Sequence, residues 1–249
     1  MCNLYSHTRN VEAIRKLFAG FSDAGVNMPV QPTIYPDYTA PIIRNDEGGP
    51  RLAMTRWGMP TSSDLLFKNA TARADKLKAK NKPYDFKELL RMEPDGGTTN
   101  VRKTTSRHWT RWLGPENRCL VPFNAFAEPD PDGGNAWFAI DASRPTAFFA
   151  GIWVAQWESV RKIKTGMETI DLYGFLTTDP NAEVKPIHWK AMPTILTTPE
   201  DCAAWMTQPW PAVSYLQRPL PDGSLTVLAR QVKRGEEQAV GGPLAELQI

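Results

Sequence analysis

The sequence predicts an α+β fold: one domain of twisted, mainly antiparallel β-sheet, barrel-like, with flanking helices. Three observations predict it. Apolar runs rich in β-branched and aromatic residues recur along the 249 residues, separated by Gly, Pro and Asp turn signals. Few segments carry helical spacing. The 22 prolines require many loops and edge strands, because Pro cannot donate to a sheet ladder. Runs of strands with few helices, rather than strict alternation, point to α+β.

The elements follow in order. Val11, Ile14, Leu17 and Phe18 share one helical face, with Asn10 as N-cap and Gly20 as the stop. Residues 25–41 are Pro-rich and expected to be irregular. Residues 42–43 and 52–54 read as short strands around the turn Asp46-Glu47-Gly48-Gly49-Pro50. Residues 61–99 are polar and Lys-rich, with a short helix over 86–92. Lys76, Lys78, Lys80 and Lys82 read there as a solvated face or mobile loop. Trp109, Trp112 and Leu113 have helical spacing that stops at Gly114-Pro115, and both Trp read as core. Strands are predicted over 119–121, 137–140, 147–153, 170–176, 192–196 and 225–232. The turn Asp132-Gly133-Gly134 links the first two. Thr198 caps a helix that has Pro199 at its first position. Residues 1–234 are expected to form the domain and 235–249 a flexible tail.

Composition excludes several classes. A hydrophobic share of 41% with 22% charged residues is that of a soluble globular protein. No stretch is long and apolar enough for a bilayer, and the amino terminus lacks a signal-peptide pattern, so a cytoplasmic protein with no membrane partner is expected. A net charge of +2 does not demand an acidic partner, although a local basic patch is compatible with it. Cys2, Cys119 and Cys202 are an odd set without close spacing. They form neither a disulfide framework nor a zinc cluster, and no metal or cofactor is expected. Cys119, in an apolar strand, and Cys202, beside Trp205, read as inert core. His7 and His108 read as structural.

Cys2 is different. A Met followed by a small residue is usually clipped, which leaves an α-amine and a thiol on adjacent carbons. Their ordinary pKa values lie near 8 and 8.5, so both are partly nucleophilic at neutral pH. Such a pair condenses with an aldehyde: the amine forms a Schiff base and the thiol closes a thiazolidine. The second step is intramolecular and gains a high effective concentration.

Five segments, in this order, accompany that cysteine: Met1-Cys2-Asn3; Arg56-Trp57-Gly58-Met59-Pro60; Asn100-Val101-Arg102; 117–122 leading to Phe126-Ala127-Glu128; and Ile187-His188-Trp189-Lys190-Ala191-Met192-Pro193. Together they resemble the SOS response-associated peptidase (SRAP) family of abasic-site processing proteins, over residues 2 to about 196. The resemblance implies a single α+β domain, a monomer, that binds abasic sites in single-stranded DNA and is nucleoid-associated when bound. It implies that the N-terminal Cys cross-links reversibly to the ring-opened sugar as a thiazolidine, and that an autopeptidase activity removes Met1. The chain departs from the family pattern where Asn3-Leu4 replaces Gly-Arg, where Ala125-Phe126-Ala127-Glu128-Pro129 replaces Gly-Phe-Tyr-Glu-Trp, and where one extra residue separates His188 from Met192-Pro193.

Within that resemblance, chemistry assigns roles. Opening the sugar hemiacetal needs a proton on the ring oxygen, which suits a carboxyl group in a partly dry site, Glu128. His188 is the near-neutral acid–base that sheds water from the carbinolamine or reverses the adduct. Asn100 is expected to bond the amine or a sugar hydroxyl. Arg102, two residues on in an extended segment, shares its face and suits a phosphate. Trp57 and Pro36 are candidates for stacking or wedging beside the lesion, with core packing the alternative for Trp57. Arg56 and Lys190 are candidate phosphate contacts. Two other readings stay open: a Cys-dependent (auto)peptidase using Cys2, Glu128 and His188 without DNA chemistry, and a non-covalent nucleic-acid-binding module.

Overall fold

A computed structural model describes residues 2–230. In chain order it contains β1 (Leu4–His7), α1 (Val11–Leu17), β2 (Gln31–Ile34), β3 (Thr39–Asp46), β4 (Gly49–Trp57), α2 (Ser63–Ala79), α3 (Phe86–Arg91), β5 (Asn100–Val101) and α4 (Arg107–Thr110). Then follow β6 (Arg118–Phe123), β7 (Ala125–Pro129), β8 (Asn135–Ala139), β9 (Ala147–Val160), β10 (Met167–Thr178), β11 (Met192–Pro193), β12 (Ile195–Leu196), α5 (Pro199–Thr207), α6 (Trp210–Val213) and β13 (Thr226–Arg230). The α+β architecture of mainly antiparallel sheet with flanking helices is the one the sequence predicts.

Five strands close a barrel in the order β10-β4-β3-β6-β9 and back to β10. Closure depends on β10, which pairs parallel with β4 (Leu172 opposite Arg56) and antiparallel with β9 (Tyr173 opposite Trp153). The ring therefore has no free edge. A second sheet, β13-β8-β7-β1-β2, shares the main core with it. Tyr5 of β1 meets Trp57 edge-on with ring centroids 5.1 Å apart and Phe149 at 5.6 Å, and its hydroxyl bonds that of Tyr173. Phe123 stacks on Phe149 at 3.9 Å. Each aromatic side chain so buried contributes about 1.5–3 kcal/mol from lost water contact. A second core lies under α5, where Trp205 packs against the barrel. There the buried Arg118 guanidinium donates to the carbonyls of Leu113, Trp205 and Gln208.

The helix caps agree with the sequence: the Asn10 side chain accepts from Ala13 N, and that of Thr198 from Asp201 N. Strands β1 and β5 and helix α6 are additional to those expected, and other elements differ. Residues 31–34 form β2 although Pro32 lies within it, because β2 is a sheet edge and needs no donor on its open side. Residues 63–79 form a full helix, with Lys76 and Lys78 on it exposed as the expected solvated face rather than a mobile loop. Ser62 caps it and its Leu, Lys, Ala and Arg content favours helix, but it buries only Ala70 and Ala74 and so shows no apolar stripe. Residues 125–129 form β7, so the turn at 132–134 joins β7 to β8 and not β6 to β8. The strand expected over 192–196 is split at Thr194: β11 pairs with β10 and β12 with β9. The expected tail at 235–249 and the last two residues of the 225–232 strand lie outside the described residues. Among those described, no helix is long and apolar enough to cross a membrane.

Candidate active site

The second sheet sets the position of Cys2. β1 runs antiparallel to β7, with Leu4 opposite Ala127 and Tyr5 opposite Phe126. Continuing that register brings the residues before Leu4 alongside Glu128. Cys2 has no accessible surface and joins the main core. Its Sγ points toward the Leu4 carbonyl at 3.5 Å, a weak contact. Burial, and then the charge of Glu128, push the thiol well above its ordinary pKa, so it is held as S–H.

Asn100 ties this end of the chain down. Its Nδ2 donates to the Cys2 carbonyl oxygen at 2.8 Å and to Thr99 Oγ1 at 2.7 Å. Its Oδ1 is buried without a hydrogen-bond partner among the described residues, so the acceptor that an amine or a sugar hydroxyl would need is still available. β5 is itself fixed by parallel pairing with β10 and by the indole of Trp57, which donates to the Thr99 carbonyl at 3.2 Å. Upstream, Gly58 and Gly97 pass so closely that a Cβ on Gly97 would sit 3.0 Å from the Gly58 Cα, and Gly97 has φ +74°. The buried Arg161 clasps both segments by donating to the carbonyls of Asp95 and Gly58.

Glu128, on β7, is fully buried. Its Oε2 lies 3.2 Å from His188 Nδ1, in the turn leading to β11. Nδ1 also lies 2.8 Å from the Ala191 carbonyl. A carbonyl only accepts, so Nδ1 carries the proton of the neutral ring. Burial lowers the His188 pKa, keeping the ring neutral at pH 7, and burial raises Glu128 to about 8. The site thus holds a carboxyl that stays largely protonated at neutral pH beside an unprotonated imidazole, the paired arrangement that acid–base chemistry needs.

The structure brings Cys2, Asn100, Glu128 and His188 together. The other candidates are spread around them. Trp57 is 1% exposed and stacks on Phe175 with centroids 5.3 Å apart, so it is core and not a base-stacking surface. The apolar side of the barrel claims it before any ligand can. Arg102 lies one residue beyond β5, exposed and paired with Asp179, and does not share the buried environment of Asn100. Arg56 is paired with Glu168 at 3.0 Å and faces Asp37 at 3.8 Å. Pro36 is half-buried in the link from β2 to β3, on a cleft that Asn3 also lines. Lys190 is exposed, its Nζ 5.3 Å from the centroid of the Trp189 ring. Three exposed aromatics beside these residues have no role in the sequence reading. Trp189 is 70% exposed directly after His188, and Tyr35 and Tyr38 meet edge-on at 5.6 Å beside Pro36. The available signal was an aromatic residue inside a polar or turn segment with no periodic apolar partners. Among the described residues no cluster of His, Cys, Asp and Glu is arranged to hold a metal.

Fold and site define an α+β protein with a buried thiol near its amino terminus, set against a carboxyl–imidazole pair. The family model described as SOS response associated peptidase (SRAP) matches residues 1–234, and the chain belongs to that family. Among solved structures it is similar to a protein from Bordetella bronchiseptica at 22% identity, covering 90% of this chain and 97% of that one with a TM-score of 0.59. It is also similar to a protein from Bacteroides thetaiotaomicron at 17% identity, covering 92% of each chain with a TM-score of 0.61. A phage-related protein from Bordetella bronchiseptica aligns at 16% identity over 90% of this chain and 92% of that one, with a TM-score of 0.58. At these identities the similarity is one of fold. No curated protein matches the chain.

Proposed function

We propose that this protein captures abasic sites in single-stranded DNA by forming a thiazolidine between Cys2 and the opened sugar, after removal of Met1. The observation that carries the reading is the placement of Cys2 beside the Glu128–His188 pair, with its carbonyl held by Asn100.

Protonated Glu128 gives its proton to the sugar ring oxygen while neutral His188 takes the proton of the C1′ hydroxyl, and the ring opens to the C1′ aldehyde. The Cys2 amine adds to C1′, forming a carbinolamine. Water leaves as His188 and Glu128 shuttle its protons, and a Schiff base results. The thiol then adds to the imine carbon while its proton passes to the nitrogen. One water is released overall, and no redox step occurs. A thiol held as S–H favours this order, with the amine attacking first. The same feature argues against a thiol peptidase, which requires a ready thiolate. The reverse sequence, with water as reactant, returns free DNA.

The test is intact mass after incubation with a uracil-containing oligonucleotide treated with uracil glycosylase. The expected product has the summed mass less one water. A preparation whose first residue is Cys2 and that yields no adduct sinks the reading.

A further inference from the structure

We propose that the cleft beside Cys2 is a nucleobase subsite, in which the amides of Asn3 and Asn135 read the base neighbouring the lesion. The proposal rests on the single-stranded DNA reading above and extends it from the damaged sugar to the adjoining nucleotide. The cleft has a volume of about 400 Å³. It adjoins the reactive centre on three sides of the chain. Asn3 follows Cys2, Thr99 precedes Asn100, and Asn135 sits opposite Pro129, next to Glu128.

Its lining decides what it takes. No Lys, Arg, Asp or Glu is among the lining residues, and the Arg161 guanidinium behind Gly97 is buried and donates to the Asp95 and Gly58 carbonyls, so a phosphate finds no free counter-charge there. A nucleobase is uncharged and carries donors and acceptors along one edge, and a carboxamide offers both. Neither Asn3 nor Asn135 has a side-chain hydrogen bond among the described residues, so both amides are available to a ligand. The exposed ring of Tyr35 provides a stacking face and Pro36 an apolar wall. Gly96 and Gly97 line it without side chains. A carboxamide pairs best, in bidentate fashion, with adenine, so adenine is the preferred neighbour.

The experiment uses eight oligonucleotides carrying a stable tetrahydrofuran abasic analogue, with each of the four bases placed on its 5′ or its 3′ side. Affinity is read by fluorescence anisotropy. Adenine on one side is expected to bind at least about fivefold more tightly than a pyrimidine. Asn3→Ala with Asn135→Ala should level the series, and Asn135→Asp should move the preference toward cytosine, whose amino group donates to a carboxylate. Thermal melts establish that the variants are folded. Equal wild-type affinities, or a preference that persists in the double variant, overturn the subsite alone. No binding to any of the eight overturns both the subsite and the DNA reading. A base preference without any cross-link to a true abasic site overturns the Cys2 chemistry and leaves the subsite standing.

Discussion

The Asn100 side chain donates to the Cys2 carbonyl oxygen at 2.8 Å, across 98 residues of sequence, and so fixes the segment that carries the nucleophile. Replacing it with Ala removes that restraint without altering the reacting groups. Misplacement on the ångström scale costs about 100-fold in rate. Asn100→Ala is expected to slow cross-linking by ~10–100-fold in single-turnover gels, while affinity for intact single-stranded DNA changes less than about twofold. Asn100→Asp, which sets acceptor against acceptor, should be the slower of the two.

Cys2 is the only cysteine whose loss should silence the chemistry. Cys2→Ala is expected to abolish the adduct and keep DNA binding. Cys119 and Cys202 are fully buried, their thiols raised by burial. Cys202→Ala should lower stability by about 1 kcal/mol and leave adduct yield unchanged. Denaturant melts and denaturing gels read the two quantities.

Glu128 should impose a pH dependence on both rate and stability. Burial raises its pKa from 4.5 to about 8. Between those values the folded state binds a proton that the unfolded state does not, so stability present at low pH is lost as pH rises from about 4.5 toward 8. Glu128→Gln removes that penalty: its melting temperature should exceed that of the wild type at pH 8 and approach it at pH 4.5. Adduct formation by the wild type should decline above about pH 8 as the proton donor is lost. An equal Tm gap across the range would contradict the assignment.

Trp189 should act on binding and not on chemistry. An exposed ring with a Lys beside it fits one stacked base and one phosphate. Trp189→Ala is expected to weaken DNA affinity by ~5–160-fold, from the ~1–3 kcal/mol of a stacked base. Adduct yield at saturating DNA should be unchanged. Lys190→Ala should reduce the salt dependence of binding by about one phosphate contact.

Much of this architecture was legible because local chemistry and global packing agree. Asn10 and Thr198 cap where short polar side chains are expected to, and the apolar runs at 119–121, 147–153 and 170–176 are barrel strands. The legible part of the site was its residue types. Cys2, Asn100, Glu128 and His188 stand in distinctive segments, and the fold brings them together. Their environments were not legible. That Glu128 is buried depends on β7 pairing with both β1 and β8, long-range contacts that five residues of sequence do not announce. Trp57 and Trp189 were hardest to separate, because burial of an indole is decided by what packs against it: Tyr5 and Phe175 for one, solvent for the other. Helix α2 hid because its helicity comes from propensity and a cap rather than from an apolar stripe.

The sheathing of Cys2 also has a consequence for synthesis. The groups that enclose it, Glu128 on β7 and the turn bearing His188, are translated long after the Cys2 segment has left the ribosome. At ~5–20 residues per second, roughly 10–40 s separate the first event from the last. Under the proposed function, which needs Met1 gone, that interval is when the Cys2 segment is still uncovered, a window that closes once the carboxyl-terminal half has been made and folded over it.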